Sequence, residues 1–369
     1  MDDIGTTVYR NPAAREWRTT PAPDVLEFHR SLPGYVPTRL VPSPDLAREL
    51  GVATVHVKEE SSRLGLPAFK ILGASYAISR ALGARYGAPE AALPIADLRA
   101  LIARHDAIEL VAATDGNHGR AVARIARLLG LDSRIFVPSG ITRASKEGIA
   151  SEGAALIELD ESYDDVVTRA AGLARSAEQA TMLIQDTSWD DYRQIPEWIV
   201  DGYSTLLLEA DQQLRAVGVN RIDAVAVPVG VGSLAQAVVR HYRSTDSAPT
   251  VLSVEPEAAP ALIASLHAGR PLVVPTRKTI MAGLNCGTVT DLGWPTLKAG
   301  IDAAVVVTDT AAARAVHDLE SLGIDAGSCG AASLAGLRAL IATEPLPANA
   351  HVLLLSTESR TANPLPKGM

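Results

Sequence analysis

The segment AVAVPVGVGSLAQAVVRHY (224–242) sets an unbroken apolar run against a glycine turn and then a helical pattern. A strand without polar alternation needs cover on both faces, the condition of a strand inside a parallel sheet. The same reading extends outward to TVHVKE (54–59), IELVAAT (108–114), RIFVP (134–138), ALIELD (155–160) and TMLIQD (181–186). It continues in TVLSVEP (250–256), AAVVVTD (303–309) and HVLLLST (351–357), with helical patterns between these runs at 119–130, 234–244 and 331–342. Strand, helix, strand in repetition predicts an α/β chain on open, mostly parallel, twisted sheets with helices on both faces. The stretch GARYGAPEAALPIADLRA (83–100) reads as a loop-rich connection and NPLPKGM (363–369) as a frayed tail.

With 369 residues, 47% of them hydrophobic, the chain is long enough for two domains with separate cores. The formal net charge is −8 and the basic residues are scattered, so the stripe that a nucleic-acid backbone requires is missing. The start MDDIGTTVYRNPAAREW is acidic and polar, unlike a secretory leader, and no apolar run approaches the length of a membrane span. The two cysteines, Cys286 and Cys329, stand outside any zinc or disulfide spacing. A cytoplasmic protein with no metal site, no nucleic-acid partner and no membrane partner is expected.

Open parallel sheets bind ligands beyond the carboxyl ends of their strands. Four such ends carry chemistry here: AATDGNHG (112–119), IQDTSW (184–189), VPVGVGS (227–233) and LLSTESRT (354–361). The turn Gly230-Val231-Gly232-Ser233-Leu234-Ala235 fits the dinucleotide fingerprint, and Glu255 ends the next strand where that fingerprint wants an acid for a ribose. An NAD-dependent oxidoreductase is therefore one reading. Glycine amides at a helix start bind any phosphate, however, so the turn alone does not choose the cofactor.

Lys70 chooses between them. It stands in SRLGLPAFKILGASYAI (62–78), among small and apolar residues, where a charged amine is costly unless it is used. Such an amine suits a Schiff base to an aldehyde. Pyridoxal 5′-phosphate brings that aldehyde, a phosphate for Gly230–Ser233, and a ring nitrogen for which Ser356 is a partner. The plainer alternatives are a snorkelling Lys70, Asp115 capping the helix that starts near Gly116, and Asp186 closing a turn. His118, Trp189, Trp198 and Trp294 likewise read as packing residues, and Glu255 as the start of the turn EPEAAP.

At these residues the chain resembles the fold-type II, tryptophan synthase beta-like, pyridoxal phosphate enzymes, and among them the diaminopropionate ammonia-lyases. The resemblance is carried by FHRSLPGYVPTRL, VKEESSRLGLPAFKILGASYAI, ATDGNHGRAVA, YDDVV, IQDTSWDDYRQIPEWIVDGY, TIMAGLNCG and LLLSTESRT. It implies that Lys70 forms the Schiff base, that Asn117 contacts the cofactor's 3′-oxygen, that Gly230, Val231, Gly232 and Ser233 hold the phosphate, and that Ser356 faces the ring nitrogen. It makes Asp115 a catalytic acid/base and Asp186 a second functional carboxylate. Ser75, Thr114, Asp115 and His118 are expected at the substrate.

The implied reaction is α,β-elimination from 2,3-diaminopropionate to pyruvate and ammonia, with Lys70 and Asp115 serving opposite enantiomers. The implied division is a larger cofactor domain, 1–82 with 206–369, and a smaller domain, 83–205, with the active site in the cleft between them and a homodimer as the assembly. The chain departs from the family pattern at GSCGAAS (327–333) and at Ser359-Arg360. A serine or threonine dehydratase, or a β-replacement enzyme passing through aminoacrylate, therefore stays open beside the lyase.

Overall fold

A computed structural model describes residues 8–88, 91–176, 180–366 and 368–369. By internal packing the chain forms two compact units. The first comprises Pro37–Ser62, Leu206–Met369 and the N-terminal segment up to Pro23; the second comprises Asp24–Val36 and Arg63–Thr205. The boundary read from the sequence put residues 24–36 and 63–82 in the first unit. They group with the second because Phe28, Leu64 and Ile71 share one core with Leu110 and Ile125, and the Ile71–Arg85 helix packs on the Asn117–Leu129 helix.

The strands among the described residues are β1 (Tyr9–Arg10), β2 (Leu40–Pro42), β3 (Thr54–Glu59), β4 (Glu109–Ala113), β5 (Ser133–Pro138) and β6 (Ala155–Leu159). They continue with β7 (Thr181–Leu183), β8 (Ala224–Pro228), β9 (Thr250–Pro256), β10 (Ala303–Val307) and β11 (His351–Ser356). The first unit holds a sheet in the order β1-β10-β9-β8-β11-β3-β2, parallel throughout its interior. Its edges, β1 on β10 and β2 on β3, run antiparallel. Every residue of β8 and β9 is buried, so both faces of the sheet are covered, as unbroken apolar runs require. The Ser328–Thr343 helix packs on β8, β9, β10 and β11 and supplies much of that cover.

The second unit holds the all-parallel sheet β6-β5-β4-β7. Edge strand β6 departs from the expected two-sided burial, since no residue of it is buried. The two short edge strands of the first unit were outside the sequence reading because two or three residues give no periodicity. The stretch 83–100 is less loop-rich than expected, holding the end of the Ile71–Arg85 helix and part of the Ile95–Ile102 helix; residues 89 and 90 lie outside the described residues. Nor does the tail fray from its start. Buried Asn363 donates to Ile280 O at 2.5 Å and Ser328 Oγ at 2.7 Å, although Lys367 lies outside the described residues. Among the described residues no helix is long and apolar enough to cross a membrane.

Candidate active site

In the second unit β4 and β7 are parallel neighbours, with Val111 opposite Leu183. Their carboxyl ends therefore lie side by side, and the chain delivers Asp115 just past Ala113 and Asp186 just past Leu183. Lys70 stands at the N-cap of the Ile71–Arg85 helix, and its Nζ donates to Asp186 Oδ2 at 2.7 Å. A cation at a helix N-terminus opposes the helix dipole, so this ammonium depends on a carboxylate partner. Only 23% of the Lys70 side chain and 7% of that of Asp186 is exposed, which makes the pair a sheltered one.

The Phe69 ring lies 5.5 Å from Lys70 Nζ and packs on Tyr203 at 4.8 Å between centroids. Tyr203 reaches this place because two glycines let helices meet closely. A Cβ on Gly73 would stand 2.6 Å from Tyr203 Cε1, and one on Gly202 would stand 2.6 Å from Leu72 O. No sequence motif advertised this pair, since glycine within a helix is visible but its facing partner is not.

The electrostatics push the two carboxyls apart. Burial pushes Asp115 up, Lys70 draws it back and Asp186 raises it again, leaving it at about 6. Burial would raise Asp186 too, but the Lys70 ammonium and His118 outweigh it and hold this carboxyl down at about 2. Burial works against the Lys70 charge, yet Asp186, Tyr203 and Asp115 together carry its pKa above the ordinary value. Two carboxyls driven to opposite sides of their usual range are the mark of an acid/base site.

Neighbouring residues divide into those that reach this cluster and those that build it. Asn117 opens the Asn117–Leu129 helix. Thr114, expected at the substrate, uses its hydroxyl to accept Gly116 N at 2.9 Å and Gly119 N at 3.1 Å. It thus does the capping that the plainer reading gave to Asp115, whose side chain caps no helix. Ser75, also expected at the substrate, is buried and bonds Leu72 O one turn back. His118 donates from Nε2 to Ile184 O at 2.8 Å, which leaves Nδ1 turned to Asp186 at 3.9 Å. Burial, with Lys70 adding to it, holds the His118 pKa below the ordinary imidazole value against the pull of Asp186.

Gln185 was not singled out from the sequence, although it sits within IQDTSW. It is fully buried, and its Oε1 accepts Ala113 N at 3.0 Å. Because a backbone N–H can only donate, the amide orientation is fixed and Nε2 must face Tyr163 Oη at 3.2 Å and Asp186 Oδ1 at 3.5 Å. One side chain thus ties the strand before Asp115 to the carboxylate of Asp186. Trp189 stacks on Tyr192 at 4.5 Å, and Tyr192 Oη in turn accepts Gln185 N at 2.9 Å, so this tryptophan backs the Asp186 turn. Trp198 carries the Arg80 guanidinium at 5.0 Å, and Trp294 opens the Trp294–Gly300 helix.

The remaining expected residues lie in the first unit. Gly230, Val231 and Gly232 form the turn after β8, and Ser233 starts the helix Ser233–Arg243. Gly232 takes φ +103°, a left-handed conformation natural to glycine, and its Cβ position would fall 2.8 Å from Leu297 Cδ1. The turn thereby presents bare backbone amides at a helix N-terminus, the chemistry of a phosphate cradle. Ser356 ends the neighbouring strand β11, and its buried Oγ has no hydrogen-bond partner among the described residues. A buried hydroxyl left bare is costly, and a ring nitrogen would satisfy it. Gly330, in the divergent GSCGAAS string, lies against it so closely that a Cβ there would fall 2.8 Å from Ser356 Oγ. These residues fit pyridoxal phosphate.

They do not fit a dinucleotide. The Glu255 carboxylate accepts Leu262 N at 2.7 Å and Ile263 N at 2.8 Å, so it is occupied with the start of the Ala261–Ala268 helix. Burial pushes this carboxyl up to about 8 in spite of those two bonds. The acid that the NAD reading required is buried and committed to two backbone amides.

Comparison with known proteins agrees. Residues 32–358 match the family described as pyridoxal-phosphate dependent enzymes. The chain is 34% identical over 361 residues to the diaminopropionate ammonia-lyase of Salmonella typhimurium, covering 92% of this chain and 89% of that protein. The crystal structure of diaminopropionate ammonia lyase from Escherichia coli in complex with D-serine superposes with a TM-score of 0.89 at 31% identity, covering 97% of this chain and 94% of that one. The same Escherichia coli enzyme in complex with an aminoacrylate-PLP azomethine reaction intermediate gives 0.86 at 31% identity, over 97% and 95% of the two chains.

Proposed function

From the premise that this chain belongs to the pyridoxal-phosphate dependent enzymes, and within them to the diaminopropionate ammonia-lyases, we propose that Lys70, Asp115 and Asp186 are its catalytic groups. The protein is a carbon–nitrogen lyase of fold type II that carries out α,β-elimination on 2,3-diaminopropionate; with one water taken up, the products are pyruvate and two ammonia. The observation that carries the assignment of residues is the Lys70–Asp186 pair beside an Asp115 raised to about 6.

Pyridoxal phosphate, when bound, supplies an aldehyde for amines and an electron-poor ring that takes up the charge left at Cα. Lys70 is its covalent anchor and, once freed by the substrate amine, a base at Cα. Asp186, ionised across the physiological range, holds the Lys70 proton within 2.7 Å and stabilises the cationic form of whatever amine replaces it. Asp115, with a pKa near 6, is a general base at neutral pH for the enantiomer whose Cα proton faces away from Lys70. Its charge also favours the ammonium form of the β-amine, which must leave as neutral ammonia. Asn117 would contact the 3′-oxygen, the Gly230–Ser233 amides the phosphate, and Ser356 the ring nitrogen. A hydroxyl leaves that nitrogen less electron-withdrawing than a carboxylate would, which suits expulsion of a β-group. On this reading Asp115 and His118 face the substrate, and the Thr114 and Ser75 hydroxyls bond the backbone beside them. The assembly on this reading is a homodimer in the cytoplasm.

The test is a panel of D- and L-2,3-diaminopropionate, serine and threonine, scored for 2-oxo acid and ammonia. Both diaminopropionate enantiomers are expected to turn over, with two ammonia per pyruvate and no activity in Lys70→Ala. Preference for serine or threonine, or consumption of substrate without pyruvate when a thiol is supplied, would point to the dehydratase or β-replacement reading.

A further inference from the structure

We propose that Arg124, whose guanidinium is committed to Leu64 O and Glu152, is a positioning residue that sets Lys70 by clamping the turn before it. Leu64 is the one non-glycine residue with positive φ among the described residues, at +51°. It is followed by Gly65 at φ +73°, and Leu66 N closes back on Arg63 O at 2.9 Å. Positive φ at both central positions is the pattern of a type I′ turn, which favours glycine, asparagine or aspartate at the place Leu64 occupies. A left-handed leucine persists only where its surroundings hold it.

Two things hold it. Its side chain is buried in the core of the second unit, and Arg124 Nη1 donates to its carbonyl at 3.2 Å. The guanidinium is itself fixed by a two-pronged bond to Glu152, Nε to Oε2 at 2.5 Å and Nη2 to Oε1 at 2.8 Å. Glu152 is only 2% exposed and is also held by Arg120 at 3.3 Å and Arg127 at 2.9 Å. From the clamped turn to Lys70 the chain has little freedom, since Pro67 fixes its own φ and Leu66, Ala68 and Phe69 are all buried. Arg124 belongs to the Asn117–Leu129 helix, two turns after Asn117. The clamp therefore references the lysine-bearing loop to the helix that begins beside Asp115.

The inference rests on Lys70 being the cofactor lysine, and the experiment separates the two claims. Pyridoxal phosphate is added to cofactor-free protein, the linkage is trapped with borohydride at timed intervals, and label on the Lys70 peptide is measured, with visible circular dichroism of the loaded protein alongside. Absence of label on Lys70 in the unaltered chain would defeat the underlying reading. Given label there, Arg124→Met is expected to slow loading by about tenfold or more and to weaken the dichroism, because misplacing a reacting group by a fraction of an ångström has effects of that size. Arg120 and Arg127 still neutralise Glu152 in this variant. Arg124→Lys keeps the charge but not the fork, and serves as the readout should the methionine variant fail to fold; loading slowed several-fold is expected. In a Leu64→Gly background, where the left-handed turn is relaxed, the further effect of Arg124→Met is expected to shrink below about threefold. Loading and dichroism unchanged in both Arg124 variants, or an undiminished effect in the glycine background, would overturn the proposal.

Discussion

The site turns on how one ammonium and two carboxyls share protons. Asp115 is a base only when ionised, so kcat/KM for the enantiomer it serves is expected to rise as pH climbs through about 6. Asp115→Asn should remove that limb and lower turnover of this enantiomer by about 10²–10⁴, with a smaller loss on the other; separate pH–rate profiles for D and L substrate check both points. The Asp186 carboxyl is depressed from 3.8 to about 2, so the stability it adds is fully present above 3.8 and is lost as pH falls through about 2. Asp186→Asn should therefore lower the unfolding free energy of the cofactor-free protein, read from urea titration at neutral pH, by on the order of 2 kcal/mol, with the gap closing below pH 3. Lys70 stood out in the sequence because a charged amine among apolar residues is costly, whereas the roles of Asp115 and Asp186 came only with the family resemblance. The parts of Thr114 and Gln185 were not legible, since a hydroxyl that caps and an amide that bridges are defined by partners remote in the chain or hidden in the turn geometry.

Elements explain why those residues meet. Unbroken Val/Ile/Leu runs made the interior strands of both sheets readable, while β1 and β2 were too short to leave a pattern and β6 shared the composition of an interior strand at an exposed edge. The close crossing at Gly73 and Gly202 was illegible for the same reason as Gln185, being a relation between two helices. It makes a sharp prediction. Gly202→Ala would place a methyl 2.6 Å from the Leu72 carbonyl oxygen, a backbone atom that cannot turn away. The two helices must separate, at a cost of about 1–3 kcal/mol, and Phe69 and Tyr203 shift beside Lys70; a lowered melting temperature together with slower loading of Lys70 is expected. Glu255 gives a pH-dependent counterpart. Its carboxyl is raised from 4.5 to about 8, so the native state binds the extra proton and stability falls as pH rises between those values. In Glu255→Gln, which cannot ionise, the fall between pH 6 and pH 9 in urea midpoint should be smaller than in the unaltered chain.

At the scale of the whole molecule, the fold class and the two-unit plan were readable from repetition and length, but the assignment of 24–36 and 63–82 was not. Those segments join the second unit through packing on residues far along the chain, such as Leu110 and Ile125, and no local pattern announces such partners. Lys70 accordingly belongs to the same unit as Asp115 and Asp186. Sedimentation of the loaded protein is expected to give a dimer. The central claim is chemical and can be met directly. The protein is loaded with pyridoxal phosphate, reduced with borohydride, digested, and the modified lysine mapped by mass spectrometry. A pyridoxyl group on Lys70, and its loss from protein incubated with 2,3-diaminopropionate before reduction, is the predicted result. Label spread over exposed lysines, or confined to any lysine other than Lys70, would contradict it.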